Sequence, residues 1–264
     1  MKPRLPRKVT RQVRDFAPAL ILIAGLLALW EVVSRAVEMP DWLLPAPSDI
    51  AASFGEAAPL LGPHVAATVT AAAAGYALAL ASAIVLAAAI DRWGLARRAI
   101  YPLLVTSQTI PTFALAPLLA IWFGFGLLPK VLVVALVCFF PIVVATVGGL
   151  RAADKEMLDL VRGMGASDRQ LFLKVRLPAA VPSVISGMKI AATYSVIGAV
   201  IAEWTGASQG LGLYLLRASN SFQTDQVFAV IAVIALLSIA LFGCVELVGR
   251  TVAPWTAAKE ETSR

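Results

Sequence analysis

Six long apolar runs, at about residues 16–34, 65–90, 99–123, 131–150, 179–203 and 227–248, govern what this chain can become. A helix rises about 1.5 Å per residue and a bilayer's hydrocarbon core is about 30 Å thick, so about 20 residues carry a helix across. Lipid offers backbone N–H and C=O groups no partner, which favours helices that satisfy themselves. Composition agrees. The chain is 59% hydrophobic and 14% charged over 264 residues, against roughly half and a quarter for a soluble domain. The expectation is an all-α, polytopic membrane helix bundle with six transmembrane helices.

Charge alternates between the segments that join these runs. Eighteen of the 22 Lys and Arg lie in the N-terminal tail 1–15, the turn 91–98, the loop 151–178 and the segment after the sixth run. The three intervening connections hold one base each, Arg35, Lys130 and Arg217, and Lys189 lies inside the fifth run. Cytoplasmic loops carry the excess of bases, so both termini and 151–178 are expected in the cytosol of a bacterial inner membrane. The same pattern accounts for the formal net charge of +6 without nucleic acid. The first run is too long for a signal-peptide core and no A-x-A site follows it, so it is expected to be retained, with Glu31 reaching water beside Trp30. The organisation expected is a tail 1–15, a transmembrane domain 16–250 and a tail 251–264. One histidine, His64, gives no metal cluster, and Cys138 and Cys244 both fall in apolar runs, where packing is expected rather than a disulfide.

Several polar or irregular features interrupt the runs. Residues 35–64 form a Pro-rich polar connection, and the second run, dense in Ala with Gly75, suits close helix packing. Pro102, Pro111 and Pro117 interrupt the third run, with Ser107, Gln108, Thr109 and Thr112 gathered around Pro111. Proline frees backbone groups, which lipid does not satisfy. Two readings are open: a broken helix whose Ser107, Gln108, Thr109 and Pro111 line a solute path, or a kinked packing helix with hydroxyls bonded to its own backbone. Tyr194 and Ser195 in the fifth run are candidates for the same path or for packing. Glu203, before Trp204, fits an interfacial belt or a gate and solute contact. Lys189 costs about 2.5–3.5 kcal/mol at mid-membrane, so it is expected to snorkel inward or to face the bundle.

The loop 151–178, RAADKEMLDLVRGMGASDRQLFLKVRLP, is the longest strongly charged stretch inside the chain. Leu158, Val161, Leu171, Phe172 and Val175 recur near helical spacing, which predicts short amphipathic helices broken at Gly163 and Gly165. Asp159-Leu160-Val161, then Gly165, then Val175-x-Leu177-Pro178 resembles the EAA loop of ABC importer permeases, whose pattern is Glu-Ala-Ala, three residues, Gly, nine residues, Ile-x-Leu-Pro. The likeness extends over about residues 16–255. Leu44-Pro-Ala-Pro47-Ser, Ser107-Gln-Thr-Ile-Pro111, Ala116-Pro117-Leu, Trp122-Phe-Gly124 and Ala202-Glu203 resemble the nitrate, taurine and sulfonate group. Leu128-Pro-Lys130-Val, Cys138-Phe-Phe-Pro141-Ile, Lys189-Ile-Ala-Ala-Thr-Tyr194 and Ser208-x-Gly210-Leu-Gly212 look most like permeases for pyrimidine precursors of thiamine.

The resemblance implies a type I ABC importer permease fold. It implies two ATPase subunits that bind ATP and Mg, a second permease copy and an extracytoplasmic solute-binding protein. It also implies a coupling loop in which Glu156, Asp159, Gly163, Gly165, Ala166, Leu177 and Pro178 meet the ATPase. The implied solute is a thiamine-precursor pyrimidine such as hydroxymethylpyrimidine or formylaminopyrimidine; nitrate, taurine or an alkanesulfonate is the alternative within the family.

The chain itself carries no G-x-x-x-x-G-K-[ST] phosphate loop, so ATP hydrolysis is expected on a separate subunit, with no cofactor or catalytic residue here. Gly206-Ala-Ser208-Gln-Gly210 matches a G-x-S-x-G nucleophile pattern, and a rhomboid-like intramembrane serine protease is the rival of another class. That reading needs a histidine after the serine, and none follows Ser208.

Overall fold

The structure, a computed structural model, describes residues 7–37, 40 and 42–255, with side chains from 17 onward except that of Glu56. Most of the tails, including Lys2, Arg4, Lys259 and Arg264, lie outside the described residues. Every regular element among the described residues is helical: α1 (Arg7–Ala36), α2 (Pro47–Arg92), α3 (Gly94–Ser107), α4 (Thr112–Phe123), α5 (Leu127–Arg151), α6 (Lys155–Gly163), α7 (Asp168–Leu171), a π-helical turn (Phe172–Arg176), α8 (Leu177–Glu203), α9 (Leu211–Asn220) and α10 (Thr224–Val252). Among the described residues, five helical stretches are long and apolar enough to cross a membrane, or six if the α3–α4 pair is one span. That pair is bent by 98° at its break. At 14 and 12 residues the two pieces are about 21 and 18 Å long, each short of a bilayer core.

Contacts group the residues into two compact units, Met1–Pro59 with Arg217–Ile231, and Leu60–Leu216 with Ala232–Arg264. In the first, the Glu31 carboxylate closes the start of α2. It accepts from the Ser48 backbone N–H at 3.0 Å and from the Ser48 hydroxyl at 2.8 Å, with Arg35 Nε at 2.6 Å. An anion at a helix N-terminus is favourable, and Pro47, the first helical residue, gives up no hydrogen bond there. Trp30 packs on Phe228 with ring centroids 5.3 Å apart, and the Thr224 hydroxyl donates to the Trp42 carbonyl at 2.5 Å.

The connection expected over 35–64 is much shorter. Helix α2 begins at Pro47 and passes through Pro59 and Pro63. Proline removes one backbone bond without setting a stop; the Ala-rich sequence that follows keeps the helix going.

The second unit is built around α5 and α8. Val134, Cys138, Ile142 and Val143 of α5 meet Ala191 and Ala199 of α8 and Ala71, Ala72 and Ala79 of α2, all buried. Small residues bring the backbones together: a Cβ on Gly187 of α8 would stand 2.5 Å from Ala145 Cβ and 2.8 Å from the Pro141 carbonyl oxygen. Without a hydrophobic drive between helices in lipid, this close fit is the main source of association. Cys138 is buried with its thiol against the Ala191 carbonyl at 3.2 Å, and both cysteines are free.

One further expectation is altered, and the alternative left open for Lys189 is decided. The loop 151–178 is not wholly separate from the fifth span, because α7, the π turn and α8 run as one helical stretch, Asp168–Glu203. Ser167 and Gln170 form a reciprocal capping box that starts it. Leu177 N–H then donates to the Phe172 carbonyl, a turn widened by one residue just ahead of Pro178, which brings no N–H. Lys189 faces the bundle rather than snorkelling. It forms an ion pair with Glu246 of α10 and lies 5.9 Å from the centre of the Phe242 ring, while Arg250 Nε holds the other Glu246 oxygen at 2.9 Å.

Candidate functional site

Three groups of residues in the second unit carry chemistry. The first is the loop after α5. Asp154 caps α6, accepting from the Glu156 N–H at 2.9 Å. Gly165 ends it with φ +87°, donating to the Arg162 carbonyl at 2.9 Å, while Ala166 N–H reaches back to Val161 at 3.3 Å. This paired closure needs a left-handed residue, which glycine supplies without penalty. Gly163 is the last residue of α6, and a Cβ there would meet nothing within 4 Å. Asp159 is exposed, with Arg162 at 3.7 Å. Leu177 and Pro178 open α8.

The apolar positions expected to matter, Leu171 and Val175, are turned inward and buried. Along α6 and its C-terminal cap, those presented outward are Met157, Leu160 and Met164, at 54, 66 and 78% exposure. Their i, i+3, i+7 spacing makes one apolar stripe beside the exposed Asp159. The sequence signal was present but lay under the overlapping periodicity of the buried face. Arg176 anchors the loop to the bundle: its Nη2 donates to Asp91 at the end of α2 at 2.5 Å, and its Nε to the Leu150 carbonyl of α5 at 3.3 Å.

The second group surrounds a cavity of about 580 Å³ between the α3–α4 break, α5 and α8. Its polar lining is Gln108, Thr112 and Tyr194; Phe140 and Pro141 add flat apolar surface, and Val137, Val144, Ala145 and Ile190 complete it. No carboxylate, amine, guanidinium or imidazole lines it. Of the path candidates, the structure brings Gln108 and Tyr194 together here. Ser107 and Thr109 bond backbone carbonyls of their own helix turn, each at 2.8 Å, and Pro111 is the exposed residue that precedes α4. Ser195 is buried with its hydroxyl on the Ala192 carbonyl at 2.7 Å. Thr112 belongs to the polar group gathered around Pro111 in the sequence, whereas nothing in the sequence marks Phe140 and Ile190 as lining, because periodicity does not say which face of a buried helix borders a cavity.

The third group lies at the other end of α8. Glu203 is fully buried. Its Oε1 accepts from the Thr68 hydroxyl at 2.7 Å and its Oε2 from the Gly212 N–H at 2.7 Å. Thr68 Oγ1 also accepts from Leu211 N–H at 2.9 Å, and Gly210 N–H donates to His64 Nδ1 at 3.0 Å. Glu203 thus pins the glycine-rich segment 206–212 to α2 and α8. Ser208 is exposed, and the His64 nitrogen nearest this segment is engaged by Gly210, so no serine–histidine pair forms. No group of three His, Cys, Asp or Glu able to hold a metal occurs among the described residues.

Residues 79–256 match the family model described as binding-protein-dependent transport system inner membrane component. The chain is 37% identical to the formylaminopyrimidine transport permease protein ThiX of Halalkalibacterium halodurans, over 93% of this chain and 98% of that one. It is 33% identical to the riboflavin transport system permease protein RibX of Chloroflexus aurantiacus, over 98% of this chain and all of that one. It is 28% identical to the taurine transport system permease protein TauC of Escherichia coli, over 88 and 87% of the two chains.

Proposed function

The chain belongs to the binding-protein-dependent inner membrane components, the permease subunits of ABC importers, and on that premise we propose that it passes a small, uncharged, planar heterocycle, a thiamine-precursor pyrimidine, into the cytosol. It is a transport subunit and not an enzyme; the ATPase is a separate partner.

The observation that carries the choice of solute is the cavity beside the α3–α4 break. Gln108 offers both an amide donor and an acceptor, Thr112 and Tyr194 offer hydroxyls, and Tyr194 and Phe140 offer ring faces. That set suits hydrogen bonding at the edge of a heteroaromatic ring and stacking on its face. A sulfonate or nitrate would enter such a site without a cation to replace its hydration, which is unfavourable. The relatives named for formylaminopyrimidine and riboflavin transport are consistent with this preference; the taurine permease is the alternative.

In the proposed cycle two ATPase subunits grip two permease copies. The exposed Met157–Leu160–Met164 stripe and Asp159 enter a groove on each ATPase. Closure of the ATPases pushes α6, and the force passes through the capping box into the helical stretch Asp168–Glu203, which tilts as a rigid lever. Basic residues on the loop side favour a cytosolic placement of this end and of both termini. A binding protein delivers solute at the opposite face.

The test is reconstitution in liposomes with the partner ATPase and binding protein. ATP-driven uptake of formylaminopyrimidine that excess taurine does not inhibit is the expected result, with Tyr194→Ala raising KM at least tenfold. Uptake of taurine in preference to the pyrimidine would overturn the solute choice. Full-rate uptake by this chain with no ATPase present would overturn the coupling scheme.

A further inference from the structure

A second cavity, of about 760 Å³, lies behind the coupling loop and is separate from the solute cavity. Its floor is apolar and buried: Leu150, Ala153 and Leu171 are each no more than 9% exposed. Cationic side chains reach its rim from four parts of the chain. Arg92 and Arg97 come from the α2–α3 junction, Arg151 from the end of α5, Lys155 from the start of α6 and Arg169 from α7. None of these five has a carboxylate within ion-pair distance among the described residues. Two further bases, Arg162 and Arg176, also line it, and the two lining acids are their partners: Asp91 bonds Arg176, and Asp168 lies 3.8 Å from Arg162.

We propose that this cavity is a binding site for a phosphate-bearing anion. Seven cations against two carboxylates leave an excess of five charges in one concavity. The carbonyl ends of α2 and α5 offset about half a charge each, so most of the excess stands. Like charges held within about 8 Å, roughly a Debye length at physiological salt, repel unless an anion sits among them. Cytosolic placement of bases asks only that they be on one side of the membrane; it does not ask that they converge on a hollow. Low-dielectric walls such as Leu150 and Leu171 concentrate the field inside it. Arginine forks match phosphate oxygens in geometry as well as charge. Beside Arg92 and Arg97, Trp93 and Leu95 are 61 and 81% exposed, a pairing that suits the headgroup level of a bilayer. The same chemistry is offered by an anionic phospholipid headgroup and by a free phosphate compound in solution.

The experiment uses the full chain in complex with its ATPase, in nanodiscs. The variant carries Arg92→Gln, Arg97→Gln and Arg169→Gln together, which removes no intramolecular bond; its Lys counterpart keeps the charge. In one arm, discs of phosphatidylcholine are compared with discs holding a quarter phosphatidylglycerol, and lipid retained on the protein is counted by native mass spectrometry. In the other, phosphate and pyrophosphate are titrated against the protein in phosphatidylcholine alone, read by thermal shift. Retention of phosphatidylglycerol, lowered at least fivefold in the Gln variant and kept in the Lys variant, supports a headgroup site. A salt-sensitive shift with pyrophosphate, abolished in the Gln variant, supports a soluble anion. Wild-type protein indifferent to every probe, or equal binding by the Gln variant, overturns the proposal.

Discussion

Thr68 and Glu203, 135 residues apart in the chain, share a 2.7 Å hydrogen bond in a fully buried setting. The carboxylate accepts two donors on two different oxygens, Thr68 and Gly212. Glutamine has the same shape but one acceptor oxygen, so one donor would face an NH2 group. Glu203→Gln is expected to destabilise the protein by about 1–3 kcal/mol. Thr68→Val should cost at least as much, because it leaves both Glu203 Oε1 and the Leu211 N–H without their buried partner. A double-mutant cycle read by thermal denaturation in detergent should give a coupling of at least about 0.5 kcal/mol. Since Glu203 does not line the solute cavity, KM for solute should stay within about twofold of wild type if the fold holds. A specific rise in KM with unchanged stability would return Glu203 to the solute path.

The ion pair between Lys189 and Glu246 predicts an asymmetry. Removing the lysine leaves Glu246 still bonded to Arg250, so Lys189→Met should be close to neutral. Removing the carboxylate leaves an ammonium among apolar side chains, where insertion scales place its cost at about 2.5–3.5 kcal/mol. Glu246→Gln should therefore lower membrane yield and thermal stability well beyond Lys189→Met. The double variant should recover most of the loss, because the uncompensated charge is gone. Equal effects of the two single changes would show that the pair contributes as an attraction and not as neutralisation.

What could be read beforehand follows from the range of each signal. The six apolar runs and the Gly165 break depend on neighbouring residues, and the structure places helices and a left-handed glycine there. Pro59 and Pro63 suggested a connection, yet helix α2 continues through both, since a missing N–H is one bond among many in a 46-residue helix. Arg176 meets Asp91 across 85 residues, and no local pattern announces a partner at that distance. Gln108 and Tyr194 were legible as polar residues in apolar runs; that they border one cavity with Phe140 depends on how α5 packs against α8. The direction of the Met157–Leu160–Met164 stripe was hidden because apolar residues occupy both faces of a nine-residue helix.

Arg176 is the joint through which the loop holds the bundle, and its loss should uncouple before it unfolds. Asp91 has 8% of its side chain exposed and Arg176 28%, so the bond is largely withdrawn from water. Charged hydrogen bonds of this kind contribute about 1.5–3 kcal/mol. Arg176→Met should keep the apolar stem, remove the Asp91 and Leu150 bonds, and leave a complex that still hydrolyses ATP. Solute carried per ATP is expected to fall at least fivefold in proteoliposomes. Unchanged stoichiometry would show that the loop is held by its apolar contacts alone.

Gly165 permits the sharpest separation of fold from coupling. Its φ of +87° places a side chain in the left-handed region, at a penalty of roughly 1–2 kcal/mol for an ordinary residue and more for a β-branched one. Gly165→Val should unpick the closure of α6 and disorder the Met157–Leu160–Met164 stripe, while the buried α5–α8 core is untouched. Gly163→Ala is the control, because its Cβ would meet nothing within 4 Å and its φ is not positive; helix propensity favours it by about 1 kcal/mol. Gly165→Val should insert in the membrane at wild-type yield, lose co-purification with the ATPase and lose ATP-driven uptake. Gly163→Ala should retain α6 helicity, whatever contact the ATPase makes at that position. Wild-type uptake by Gly165→Val would mean that the ATPase grips some other surface of the chain.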